Sequence, residues 1–125
     1  MTTAVFSKKS GIYCGFYIYG HSGFSKSGED IVCSAVSSAV YLTANNLTEL
    51  YKADADIKIK DSEMYAYLKT PDVDVSKLIR GLFTHLFQLS FQYPEFLKVM
   101  TVKAKWNYNL CWYLPAIILG GNQNA

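Results

Sequence analysis

The chain has 125 residues, half of them hydrophobic and 15% aromatic, with 12 Lys and Arg against 10 Asp and Glu for a net charge of +2. That length supports one core and not two, and that hydrophobic content excludes a disordered chain. So small a net charge supplies no electrostatic attraction for nucleic acid or a membrane surface.

Two strands open the chain. Ala4 to Lys8 alternates weakly, Ser10-Gly11 reads as a turn, and Ile12 to Tyr19 alternates well. The second strand predicts Ile12, Cys14, Phe16 and Ile18 on the inward face and tyrosines on the other. Gly20 to Glu29 follows as a loop rich in glycine and serine, whose glycines permit backbone angles that other residues resist. From Asp30 to about Tyr51 the pattern is helical, with Val32, Val36, Ala39, Val40, Thr43, Leu47 and Leu50 at spacings of three and four.

Asp54 to Lys60 and Met64 to Lys69 predict a second hairpin turning at Asp61-Ser62-Glu63. After Pro71, Asp74 or Ser76 is a candidate cap for a second helix to about Tyr93, with an apolar stripe from Val75 to Leu89. Pro94 stops it, and Phe96 to Lys103 reads as a last strand. The order β-β-α-β-β-α-β predicts an α+β fold of two layers: a mostly antiparallel sheet with two helices packed on one face. Residues from Trp106 onward are aromatic and aperiodic and do not fit this scheme.

The cysteines, Cys14, Cys33 and Cys111, are odd in number and form no CxxC pair, which argues against a disulfide framework and a zinc site. No charged segment followed by an apolar run opens the chain, so no secretory leader is expected. The apolar stretch Leu110 to Leu119 is about half the ~20 residues of a membrane span. A reducing, cytoplasmic setting is expected, with no membrane contact, no metal and no cofactor.

The chemistry concentrates in Gly20-His21-Ser22-Gly23-Phe24 and Gly28-Glu29-Asp30-Ile31-Val32-Cys33. A cysteine attacks as thiolate, and both a helix start and a nearby imidazole favour that anion. With Asp30 as N-cap, Cys33 falls at the third helical position. There Asp30 helps by capping the helix or orienting His21, but opposes the anion if its carboxylate is aimed at the sulfur. His21, at the end of the preceding strand, is the candidate base. Spacing alone does not bring the two together, and a buried structural cysteine is the competing reading of Cys33. Cys14 reads as core packing and His85 as a helix-surface residue. Tyr13, Tyr17 and Tyr19 read as sheet packing or as a platform for an aromatic substrate side chain.

The paired motif, with Ser34-Ala35-Val36-Ser37 behind the cysteine, the strand before His21 and the later Tyr93-Pro94, resembles the ribosomal-processing cysteine protease family Prp over about residues 2 to 104. The resemblance implies an endopeptidase that removes the N-terminal extension of ribosomal protein L27, cuts after an aromatic pair and forms a homodimer. It implies His21 and Cys33 as the catalytic pair, Asp30 and Ser37 as supporting residues, and Gly20, Ser22, Gly23, Phe24 and Gly28 in a substrate loop. Residues 1–105 then make the protease domain, and 106–125 an atypical C-terminal tail. The alternative function is a non-catalytic, ribosome-associated peptide-binding domain in which Cys33 only packs. A thiol redox sensor is weaker, since no resolving cysteine stands near Cys33 in the sequence.

Overall fold

The computed structural model describes residues 1–20, 29–60 and 63–104. Within them lie β1 (Thr2–Lys9), β2 (Ile12–Tyr19), α1 (Glu29–Asn45), β3 (Ala55–Lys60), β4 (Glu63–Leu68), α2 (Val73–Gln92) and β5 (Leu97–Lys103). They form one five-stranded sheet in the order β3-β4-β2-β1-β5. Neighbouring strands are antiparallel except β1 and β5, which run parallel. Both helices contribute to the core on one face, as the element order predicts.

The β1–β2 hairpin turns at Ser10 and Gly11, with φ of 52° and 79°. Two successive positive φ values give a turn whose twist matches that of the flanking strands. A bulge between Ser7 and Lys8 then changes the facing of β2. Phe16 and Ile18 point to the helices as expected, but Tyr13 joins them and Cys14 turns to the opposite face. The expectation that Cys14 shares a face with Phe16 is therefore corrected, because the extra residue breaks the two-residue period.

Helix α1 buries Val32, Val36, Val40 and Ala44 at four-residue spacing, and Leu47 follows in a π-helical turn, Asn46–Leu50. This wider turn rotates the following residues, so Leu50 is 73% exposed and leaves the predicted stripe. Helix α2 starts two residues before the start that an Asp74 cap predicts, and four before that of a Ser76 cap. Its cap is Asp72, whose carboxylate accepts hydrogen bonds from the backbone N–H groups of Asp74 and Val75. Val75, Ile79, Leu82 and Leu86 then face the sheet, while Phe87 stands largely exposed.

The other face of the sheet has its own cluster of Val5, Cys14, Tyr17 and Tyr67, flanked by Tyr19, Tyr65, Val102 and Ala104. Tyr17 stacks on Tyr19, and Tyr65 on Tyr67. Tyr17 donates a 2.8 Å hydrogen bond to Glu63, which also pairs with Lys58 at 3.3 Å. Burial, and then the Glu63 carboxylate, push the Tyr17 phenol up to about 12. The Tyr17 hydroxyl in turn holds the Glu63 carboxyl below its ordinary value.

Candidate active site

Three elements meet where β1 begins. Thr2 is fully buried, and its backbone N–H donates to the Phe96 carbonyl at 2.8 Å, just before β5. Its hydroxyl oxygen lies 3.8 Å from the sulfur of Cys33 on α1, within the longer reach of a sulfur hydrogen bond in which either group can donate. Cys33 is half-buried, with its thiol free of any disulfide.

The end of β2 arrives at the same place. Thr3 pairs with Tyr19, which sets Gly20 beside the first residues of the chain. Gly20 has a φ of 97°. A Cβ built there would run into the Met1 carbonyl oxygen and lie 3.5 Å from the Thr2 Cα. Only glycine combines that dihedral with so close a backbone approach. The chain therefore leaves β2 against Thr2, the residue whose hydroxyl touches Cys33.

Helix α1 begins at Glu29, so Asp30 is not its N-cap but lies inside the first turn, and Cys33 is its fifth residue, two further in than the expected third position. A negative side chain is favourable inside the first helical turn as well as at the cap, because the dipole's positive end acts on both. Asp30 is exposed there, while Ser37 is half-buried one turn beyond Cys33, at i+4 on the same side of α1. His21, Ser22, Gly23, Phe24 and Gly28 lie outside the described residues, as does Cys111.

Thr2 is the participant that sequence reasoning missed. No local pattern marks it, because its position comes from the pairing of β1 with β5 and β2, far apart in the chain. The reading of tyrosines as an open platform does not hold for Tyr13 and Tyr17, which are buried. His85 is exposed on α2, as expected. Among the described residues no three His, Cys, Asp or Glu side chains gather as a metal site, and no helix is long and apolar enough to cross a membrane.

Comparison with known proteins gives a consistent result. Residues 1–98 match the sequence profile of a family described as cysteine protease Prp. Among solved structures, SMU.848 from Streptococcus mutans is similar at a TM-score of 0.75 and 25% identity, covering 82% of this chain and 95% of the other. The essential ribosomal processing protease Prp from S. aureus, in complex with a substrate peptide, is similar at a TM-score of 0.75 and 18% identity, covering 82% and 100%. The same protease with a covalently linked product peptide gives 0.71 and 19%, with the same coverage. No curated protein sequence matches the chain.

Proposed function

The chain belongs to the Prp family of cysteine proteases, and from that premise we propose that it removes the N-terminal extension of ribosomal protein L27 with Cys33 as nucleophile and His21 as base. The observation that carries this reading is the shared neighbour Thr2. Its Cα lies 3.5 Å from where a Gly20 Cβ would stand, and its hydroxyl lies 3.8 Å from the Cys33 sulfur. His21 follows Gly20 directly, and one residue advances the chain by at most ~3.6 Å. The reading requires its imidazole to reach the sulfur from there. The solved relative in complex with a substrate peptide, which is a ribosomal processing protease, supports a ribosomal protein as substrate.

In this mechanism His21 takes the Cys33 proton, and the thiolate adds to the scissile carbonyl carbon. Free N–H groups in the first turn of α1 hold the oxyanion. The intermediate collapses with cleavage of the C–N bond, and the imidazolium returns its proton to the leaving amine. A water, deprotonated by His21, then adds to the thioester and releases the acid product and the thiol. Thr2 donates to the thiolate, Ser37 supports the site from one turn along the helix, and Asp30 keeps negative charge at the helix start or steers His21. The loop Gly20, Ser22, Gly23, Phe24 and Gly28 closes over the peptide. No step needs a metal or cofactor. The enzyme works as a homodimer in the cytoplasm, where the L27 precursor is made.

The test is incubation with a peptide spanning the N-terminus of the L27 precursor. The wild type should cut it once, and Cys33→Ala should give no product. Undiminished cleavage by Cys33→Ala removes that residue from the nucleophile role, and a folded wild type that leaves the peptide intact removes L27 as substrate. Light scattering that returns a monomer mass at every concentration removes the homodimer.

A further inference from the structure

One row across β2, β1 and β5 carries Tyr13, Lys8 and Lys103 in direct register. Residues in register share a face of the sheet, so the two lysines stand side by side. The Lys8 ammonium lies over the Tyr13 ring, 5.1 Å from its centroid and within cation–π range. Neither lysine has a carboxylate partner among the described residues, unlike Lys58 and Lys77, which pair with Glu63 and Asp74. Like charges placed opposite each other on adjacent strands destabilise a sheet. Protection against edge-to-edge pairing explains a lysine on β5, the last strand of the described sheet. It does not explain Lys8, because β1 has a paired strand on both sides.

The pair borders a recess of about 510 Å³, lined by Lys8, Ser10, Gly11, Thr101 and Lys103 among others. Ser10 and Thr101 bring exposed hydroxyls to it, and no described carboxylate lines it. Two ammonium groups and two hydroxyls make a donor set for an oxyanion of about two charges. A phosphate monoester carries about −1.5 to −2 at neutral pH and offers three strong acceptor oxygens. A single carboxylate would leave one ammonium uncompensated.

We propose that this recess binds a phosphate dianion, either free or as the terminal group of a nucleotide. Bound there, the anion compensates the lysine pair and ties β5 to the β1–β2 turn. Thr2 and Lys8 lie near the two ends of β1, ~20 Å apart at ~3.3 Å per residue. The site is therefore remote from Cys33 and stands whether or not the chain cleaves L27.

Inorganic phosphate is the first probe, titrated into the full-length protein at constant ionic strength with chloride as the balancing anion. The amide NMR signals of Ser10, Gly11, Thr101 and Lys103 should move along one saturating curve while those of Thr2 and Cys33 stay still. Phosphate should also raise Tm, as a ligand of the folded state does. Lys103→Gln should weaken binding about ten-fold, the scale of one lost charge-assisted hydrogen bond. In chloride alone the same variant should melt no lower than the wild type, because it relieves the like-charge contact. Thr101→Val is the second variant and should weaken binding without a change of charge. Uridine monophosphate distinguishes the sources: tighter binding than phosphate at the same amides assigns a nucleotide, and equal or weaker binding assigns free phosphate. Signals that do not move, shifts that acetate matches at equal concentration, or an affinity unchanged in folded Lys103→Gln would overturn the proposal. A response only to an RNA strand without terminal phosphates would assign the lysines to internal phosphodiesters, and overturns it too.

Discussion

Replacing Thr2 by valine tests the contact that joins the start of β1 to the sulfur. Thr2 is fully buried, so valine keeps the shape and removes only the hydroxyl, 3.8 Å from the Cys33 sulfur. A hydrogen bond to a charged group contributes ~1.5–3 kcal/mol net, and at this length about 1 kcal/mol is the appropriate figure. At 1.4 kcal/mol per factor of ten, losing that contact should slow alkylation of Cys33 by up to about five-fold, read site by site by mass spectrometry so that Cys14 and Cys111 do not contribute. Thr2→Ser should keep the wild-type rate. An unchanged rate in a folded Thr2→Val protein would show that the hydroxyl does not act on the sulfur.

The Tyr17 phenol is raised from an ordinary 10 to about 12 by burial and by Glu63, so the folded chain holds a proton that the unfolded chain releases. Its contribution is complete below pH 10 and is lost between about 10 and 12, on the order of 2–3 kcal/mol. Chemical denaturation against pH should show this loss shrinking in Tyr17→Phe, while Tyr67, also pushed up by burial, keeps the remainder. Gly15→Ala should cost ~1–3 kcal/mol, because a Cβ would stand 2.7 Å from the Ala66 carbonyl oxygen, which a paired strand cannot move; an unchanged melting temperature would contradict this. Gly20→Ala meets both a positive φ and the Met1 carbonyl. It should lower kcat for peptide cleavage by more than its stability loss of ~1–2 kcal/mol explains, and equal kcat in the folded variant would show that Gly20 does not aim His21.

Much of this architecture was legible from periodicity. Ile12–Tyr19 stands at its predicted bounds, and the four-residue spacing from Val32 to Val40 marks the buried side of α1. The misreadings share a cause: features that depend on backbone geometry and not on residue pattern. The bulge that turns Cys14 away from Phe16 is invisible to a strict two-residue alternation. The π-helical turn that exposes Leu50 is invisible to a 3.6-residue period. Asp72, Asp74 and Ser76 are all chemically able to cap α2, and only the path of the chain after Pro71 selects Asp72. At the site, the motif singled out Cys33 through family resemblance, whereas Thr2 had no signal because strand pairing across the whole chain brings it there.

The most direct measurement is an acid-quenched single turnover with an L27 precursor peptide, followed by mass mapping of the chain. An acyl thioester on Cys33 should form and decay as product appears, and His21→Ala should accumulate little or none of it. Cleavage without an adduct on Cys33, or acylation at the wild-type rate in His21→Ala, would contradict the assignment of this sulfur and this imidazole as the reacting pair.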